Sequence, residues 1–260
     1  MRTPPINALL ITLSFALTTS AYMTNAAITF QSNAEQTSLI ELYTSEGCSS
    51  CPPAESWLSQ FKRSPGLWKQ VVPLVFHVDY WDDLGWRDRW ASKSNTRRQQ
   101  KYADDWGNDG VYTPGFVLNG REWQNWTRYK DVPATARTQS GVLTVATLDT
   151  NRWTATFKPA NGSPQNFEIH AALLGCGLRS KVKSGENRGR NLTHNFVVLT
   201  LVDGSMTEHA SVARGEFILK SQSGEAAQEL AVAVWVTRSD QLEPLQATGG
   251  WLTESDARSE

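Results

Sequence analysis

The sequence predicts an α/β domain followed by an antiparallel β-sandwich-like domain, and three observations carry that expectation. Between residues 37 and 132, apolar strand-like runs alternate with helical stretches, the pattern of a layered α/β structure. From residue 135 to about 253 apolar and polar residues alternate instead, which marks half-buried strands. The length of 260 residues lies between one large domain and two ordinary ones, and no internal repeat or low-complexity tract is evident.

Residues 1–26 come first. Met1-Arg2 precedes an apolar run from Ile6 to Leu17 and an exit rich in small residues, ending Asn25-Ala26-Ala27. One positive charge, a short apolar stretch and an alanine-rich exit predict a secretory signal cleaved after Ala26. The alternative, a membrane anchor, needs about 18 or more apolar residues in a row, and this run is shorter and contains Thr and Ser. A periplasmic or secreted protein without a membrane span after cleavage is therefore expected.

In the first domain, Ser38–Tyr43 is β-prone, Pro53–Trp68 helical in character, and Val71–Val78 a continuous apolar run like a strand covered on both faces. Asp88–Trp106 again reads as helix. Val111–Leu118 reads as a strand closed by the turn pair Asn119-Gly120. In the second domain, alternation places Trp153, Ala155 and Phe157 on one strand face, and likewise Phe167, Ile169, Ala171 and Leu173, then Leu230, Val232, Val234 and Val236. Asn161-Gly162 and Asp203-Gly204 are expected to be turns between such runs.

Twenty-five basic and 26 acidic residues leave a formal charge of −1. That balance gives no bulk attraction to polyanions, so nucleic acid and anionic membranes are not expected partners. Three cysteines, Cys48, Cys51 and Cys176, follow the signal. An odd count with two members three apart favours a reactive pair over a structural framework.

The segment Leu39 to Cys51 reads as a strand, a short turn and then Cys-Ser-Ser-Cys opening a helix. Unpaired N–H groups and the helix dipole there would hold Cys48 as a thiolate, provided it is accessible. Cys48 is thus the expected nucleophile and Cys51 the resolving thiol. Pro52 and Pro53 fit the first helical turn, where N–H groups lack intrahelical acceptors. A zinc site normally needs a second such pair, and the sequence has none. In the run Val111-Tyr112-Thr113-Pro114-Gly115, Pro114 is either a cis peptide at a tight bend or a trans proline opening a strand.

The order of strand, paired cysteines at a helix start, covered strand, helical insert and Thr-Pro before a strand resembles the thioredoxin fold. The strings Glu41 to Pro53, Phe76 to Trp86, Val111 to Pro114 and Gly185 to His194 resemble the exported bacterial family called domain of unknown function 1223, across residues 38 to about 250. The resemblance implies a thioredoxin-like first domain, Cys48 as nucleophile, Cys51 as resolving thiol, and Thr113-Pro114 as a cis pair facing the disulfide. It also implies a buried acid beneath the pair. Glu41 is the nearest candidate, one residue further from Cys48 than the thioredoxin pattern has it, and a solvated strand position is its alternative.

Other residues carry weaker signals. His77 and Asp79 end the covered strand, where a histidine could tune a thiolate or join Cys48 and Cys51 in holding copper; a hydrogen-bonded core histidine is the plainer account. The tryptophans from Trp81 to Trp126 suit core packing or an apolar groove, and Arg87 to Lys101 a solvated basic face. Cys176 reads as a small buried residue or, alternatively, a relay thiol. The loop Lys181–His194 is a hairpin connection or a loop contacting the first domain. The expected function is thiol–disulfide exchange with protein or small-molecule thiols and disulfides, with no cofactor. The alternatives are a copper-binding thiol module and a non-catalytic structural or interaction protein.

Overall fold

A computed structural model describes residues 27–132, 138–161, 166–220 and 227–252; the expected signal segment lies outside them. In chain order the elements are β1 (Thr29–Gln31), β2 (Ser38–Thr44), α1 (Cys51–Ser59), β3 (Val71–His77), α2 (Lys93–Trp106), β4 (Gly115–Leu118) and β5 (Arg121–Glu122). There follow β6 (Gly141–Thr147), β7 (Arg152–Pro159), β8 (Phe167–Cys176), β9 (Leu178–Lys181), β10 (Asn191–His194), β11 (Val197–His209), β12 (Val212–Ile218), β13 (Glu229–Arg238) and β14 (Pro244–Leu252).

These strands overturn the expected division into a thioredoxin-like α/β domain and a following sandwich. Twelve strands form one mixed sheet, β9 and β10 a separate hairpin, and only two α-helices accompany them among the described residues. The α/β layering is confined to the parallel pair β2 and β3 joined through α1. β11 then ties the halves together: Val197 pairs in parallel with Val75 of β3 and antiparallel with Gly175 of β8, while its far end pairs with β12. Pro73 is tolerated in β3 for the same reason. The Val75 N–H bonds the Phe196 carbonyl, so the missing N–H of Pro73, two residues earlier on the same side, falls where β11 has not yet begun.

β8 and β13 are the shared wall between two cores. Ala172, Leu174, Ala231, Ala233 and Trp235 face the core built on β2, β3 and α1. Ala171, Leu173, Val232, Val234 and Val236 face the second core, which β6, β7 and β12 complete. The alternation in β13 is thus real, but both of its faces are buried, as in strands covered on both sides.

The helices are shorter than expected for identifiable reasons. α1 and its following 3₁₀ turn stop at Arg63 because Ser64, which precedes Pro65, is extended (ψ 132°). α2 starts at Lys93 rather than near Asp88, capped by the Ser92 side chain accepting from the Asn95 N–H, and ends on left-handed Gly107. Asn119-Gly120 is the expected turn, both residues having positive φ. Asp203-Gly204 is not a turn. It lies inside β11, in register with His170 and Ile169. No helix among the described residues is long and apolar enough to cross a membrane.

Candidate functional site

Cys48 and Cys51 are joined as a disulfide with their Cα atoms 5.5 Å apart. The chain reaches them from the buried end of β2 through a tight turn in which the Cys48 N–H bonds the Ser45 carbonyl and the Cys51 N–H bonds the Cys48 carbonyl. α1 begins at Cys51, with Pro52 and Pro53 accommodated in its first turn. The helix start therefore falls on Cys51, and Cys48 lies ahead of it.

The expected exposed thiolate at Cys48 is not found. Both cysteines are fully buried, whereas Ser49 and Ser50 between them are exposed. The cover is the tip of the β9–β10 hairpin. The Asn187 amide, buried itself, donates to the carbonyls of Glu46 (2.9 Å) and Cys48 (2.8 Å), and the Glu186 carboxylate accepts from the Ser49 N–H. Trp81 packs on the other side of the turn, its Cβ 3.1 Å from where a side chain on Gly47 would begin. Its indole N–H donates to Thr113 Oγ1 at 2.8 Å. Thr113-Pro114 is a cis peptide. The Ser50 hydroxyl lies 3.2 Å from Cys48 Sγ.

Glu41 is not beneath the pair. It is buried, but points with Tyr43 toward α2, where Arg98 holds it through two bonds of 2.8 Å and the hydroxyls of Tyr43 and Tyr102 donate to it. Burial alone would raise its pKa, yet the Arg98 guanidinium outweighs that and brings the carboxyl below its usual range. Held by Arg98 and away from the cysteines, it is a structural ion-pair partner. Arg98 accordingly leaves the expected basic face, whereas Lys93, Arg97 and Lys101 remain exposed.

Next to the disulfide lies a buried polar cluster that sequence reasoning captured only at His77. Glu55, four residues after Cys51 and so on the same side of α1, accepts from Thr44 Oγ1 at 2.7 Å and pairs with His194 Nδ1 at 2.5 Å. His194 Nε2 lies 3.1 Å from Glu46. His77 Nδ1 contacts Asp88 at 2.6 Å, and the two imidazoles meet edge to face with centroids 5.0 Å apart. Burial works against a charge on His194, but Glu55 and Glu46 outweigh it and push its pKa up to about 10. The available signals were slight: a glutamate one turn after Cys51, and two of only four histidines.

Cys176 is buried in the first core, its sulfur accepting from the Phe196 N–H. Trp57, which the sequence did not single out, is the centre of an aromatic group with Phe61, Phe116, Trp123 and Trp126 on the outer side of α1.

The model of the family described as protein of unknown function (DUF1223) matches residues 39–237, most of the chain and every residue of the site just described. The chain belongs to that family. No curated protein matches it. Two solved structures resemble this DUF1223 chain in fold. One is a crystal structure of a protein from Agrobacterium tumefaciens, at 23% identity and a TM-score of 0.57, covering 87% of this chain and 97% of the other. The second is HBP35 of Porphyromonas gingivalis, at 14% identity and a TM-score of 0.56, covering 87% of this chain and 78% of that one.

Proposed function

We infer that this protein is an exported thiol–disulfide oxidoreductase of an oxidising compartment, working through Cys48 and Cys51 when the hairpin tip lifts. The observation that carries this reading is the disulfide between residues three apart at a helix start, covered by a loop held by polar ties with few apolar anchors. Between Lys181 and Arg190 only Val182 and Asn187 are buried, so few apolar contacts resist a local opening. In the reduced protein, the Cys48 thiolate attacks a substrate disulfide, forming a mixed disulfide and expelling one substrate thiolate. Cys51, deprotonated, then attacks the Cys48 sulfur and releases the second substrate thiol. Two electrons pass from the cysteine pair to the substrate.

A second reading is favoured by the burial itself, since a disulfide sealed on both sulfurs can serve only to fix the turn between β2 and α1. One experiment separates the two. A Cys51→Ser variant should retain exported proteins as mixed disulfides on Cys48, and the wild type should reduce a model disulfide or oxidise a model dithiol. Absence of any covalent partner, together with no turnover by either the wild type or an Asn187→Ala variant, overturns the catalytic reading.

A further inference from the structure

We propose that Glu55, His77 and His194 form a closed site for one divalent cation of zinc-like chemistry. One donor atom from each residue lies within 4.8 Å of those of the other two, and all three side chains are buried. They come from separate elements, α1, β3 and β10, so only the fold brings them together.

The deciding atom is His77 Nε2. It is buried and, among the described residues, has no hydrogen-bond partner. Its opposite nitrogen lies against Asp88, and Asp88 is itself fixed by the N–H groups of Glu46 and Trp90. A carboxylate holding Nδ1–H leaves Nε2 with a lone pair and sets the ring's orientation, as metal-ligating histidines require. His194 also has a carboxylate at each nitrogen. One ring nitrogen can turn to a metal shared with Glu55 while the other remains a donor to Glu46, and a water completes the set of four. Two imidazoles and one carboxylate suit zinc. Bonds of about 2.0–2.2 Å set neighbouring donors roughly 3.3–3.5 Å apart, so small side-chain rotations close the site.

Charge points the same way. Glu46, Glu55 and Asp88 are three buried carboxylates facing two imidazoles. No lysine or arginine among the described residues is bonded to them, so even two imidazolium ions leave a net negative charge. A buried anionic excess favours a bound cation.

Such an ion would join His194 of the hairpin to α1 and β3, fastening the base of the hairpin above the disulfide. The site does not depend on the redox reading, and its test is run with the disulfide intact, so that Cys48 and Cys51 cannot supply thiolate ligands. Chelator-stripped protein titrated with Zn²⁺ should take up one equivalent. Co²⁺ should give the visible bands of a four-coordinate ion without sulfur charge transfer. His77→Ala should weaken binding by more than about 100-fold and Asp88→Asn by about 10–100-fold. No stoichiometric uptake, or uptake unchanged in both variants, overturns the proposal. If the variants fail to fold, X-ray absorption of zinc-loaded wild type decides, with two imidazoles upholding the site and none overturning it.

Discussion

Asn187 donates to the backbone carbonyl of Cys48 at 2.8 Å, from a loop 139 residues further along the chain. With its second bond, to Glu46, this amide is the main polar tie between the hairpin tip and the disulfide turn. Each such bond is worth about 1 kcal/mol. Asn187→Ala should therefore accelerate reduction of the disulfide by dithiothreitol about 10- to 30-fold, as measured by quenched thiol labelling. An unchanged rate would mean that the tip does not limit access.

Glu41 and Arg98 form a buried pair, and breaking such a pair leaves one charge stranded at a cost of about 3–5 kcal/mol. Glu41→Leu should lower stability by that order in urea unfolding at neutral pH. Because the folded carboxyl lies below its usual range, its stabilisation is present above the unfolded pKa of about 4.3 and is lost as pH falls through the folded value. The variant's stability should consequently fall less steeply with acid than the wild type's.

Burial raises the Cys176 thiol to about 11. Iodoacetamide at pH 8 should leave it unmodified in the native protein and alkylate it fully in guanidinium. The shift is upward, so the stability linked to it holds below the unfolded thiol's pKa of about 8.5 and disappears as pH climbs toward 11. Native-state labelling at pH 8 as fast as that of a free thiol would contradict the burial.

Gly250 in β14 faces Phe30, and a methyl group there would sit 2.0 Å from the ring, which in turn stacks on Trp153. Gly250→Ala should cost about 1–3 kcal/mol through overpacking, read as a drop in melting temperature. Truncating Phe30 in the same chain should relieve part of that loss.

Much of the local structure was legible in the sequence. The strand cores at Ser38–Thr44, Val71–His77 and Trp153–Phe157 and the Asn119-Gly120 turn follow from patterns a few residues long, whereas the residues around Pro114 left cis and trans open and only the resemblance implied the cis peptide that is found. The architecture was not legible, because it turns on β11, where Val197 pairs with Val75 and Gly175 at once. No periodicity within one segment reports a partner 122 residues away. Strand β13 misled for a related reason. Its Leu230-to-Val236 alternation matched a half-buried strand, while the intervening Ala231, Ala233 and Trp235 supply a second buried face. At the site, the cysteines announced themselves by spacing. Glu46, Glu55, Asp88 and His194 are charged or polar residues that sequence reading assigns to solvent, and they are buried only because they neutralise or bond one another.

The hairpin that covers Cys48 begins at Leu178, 130 positions later in the chain. During synthesis the cysteine turn is consequently complete long before its cover exists, and β3 waits for β11 through the same interval. Oxidation of the pair, or its engagement by another thiol, has its freest opportunity before the hairpin has docked. Arrival of residues 178–209 supplies the cover, and from then on access to the pair depends on the hairpin tip.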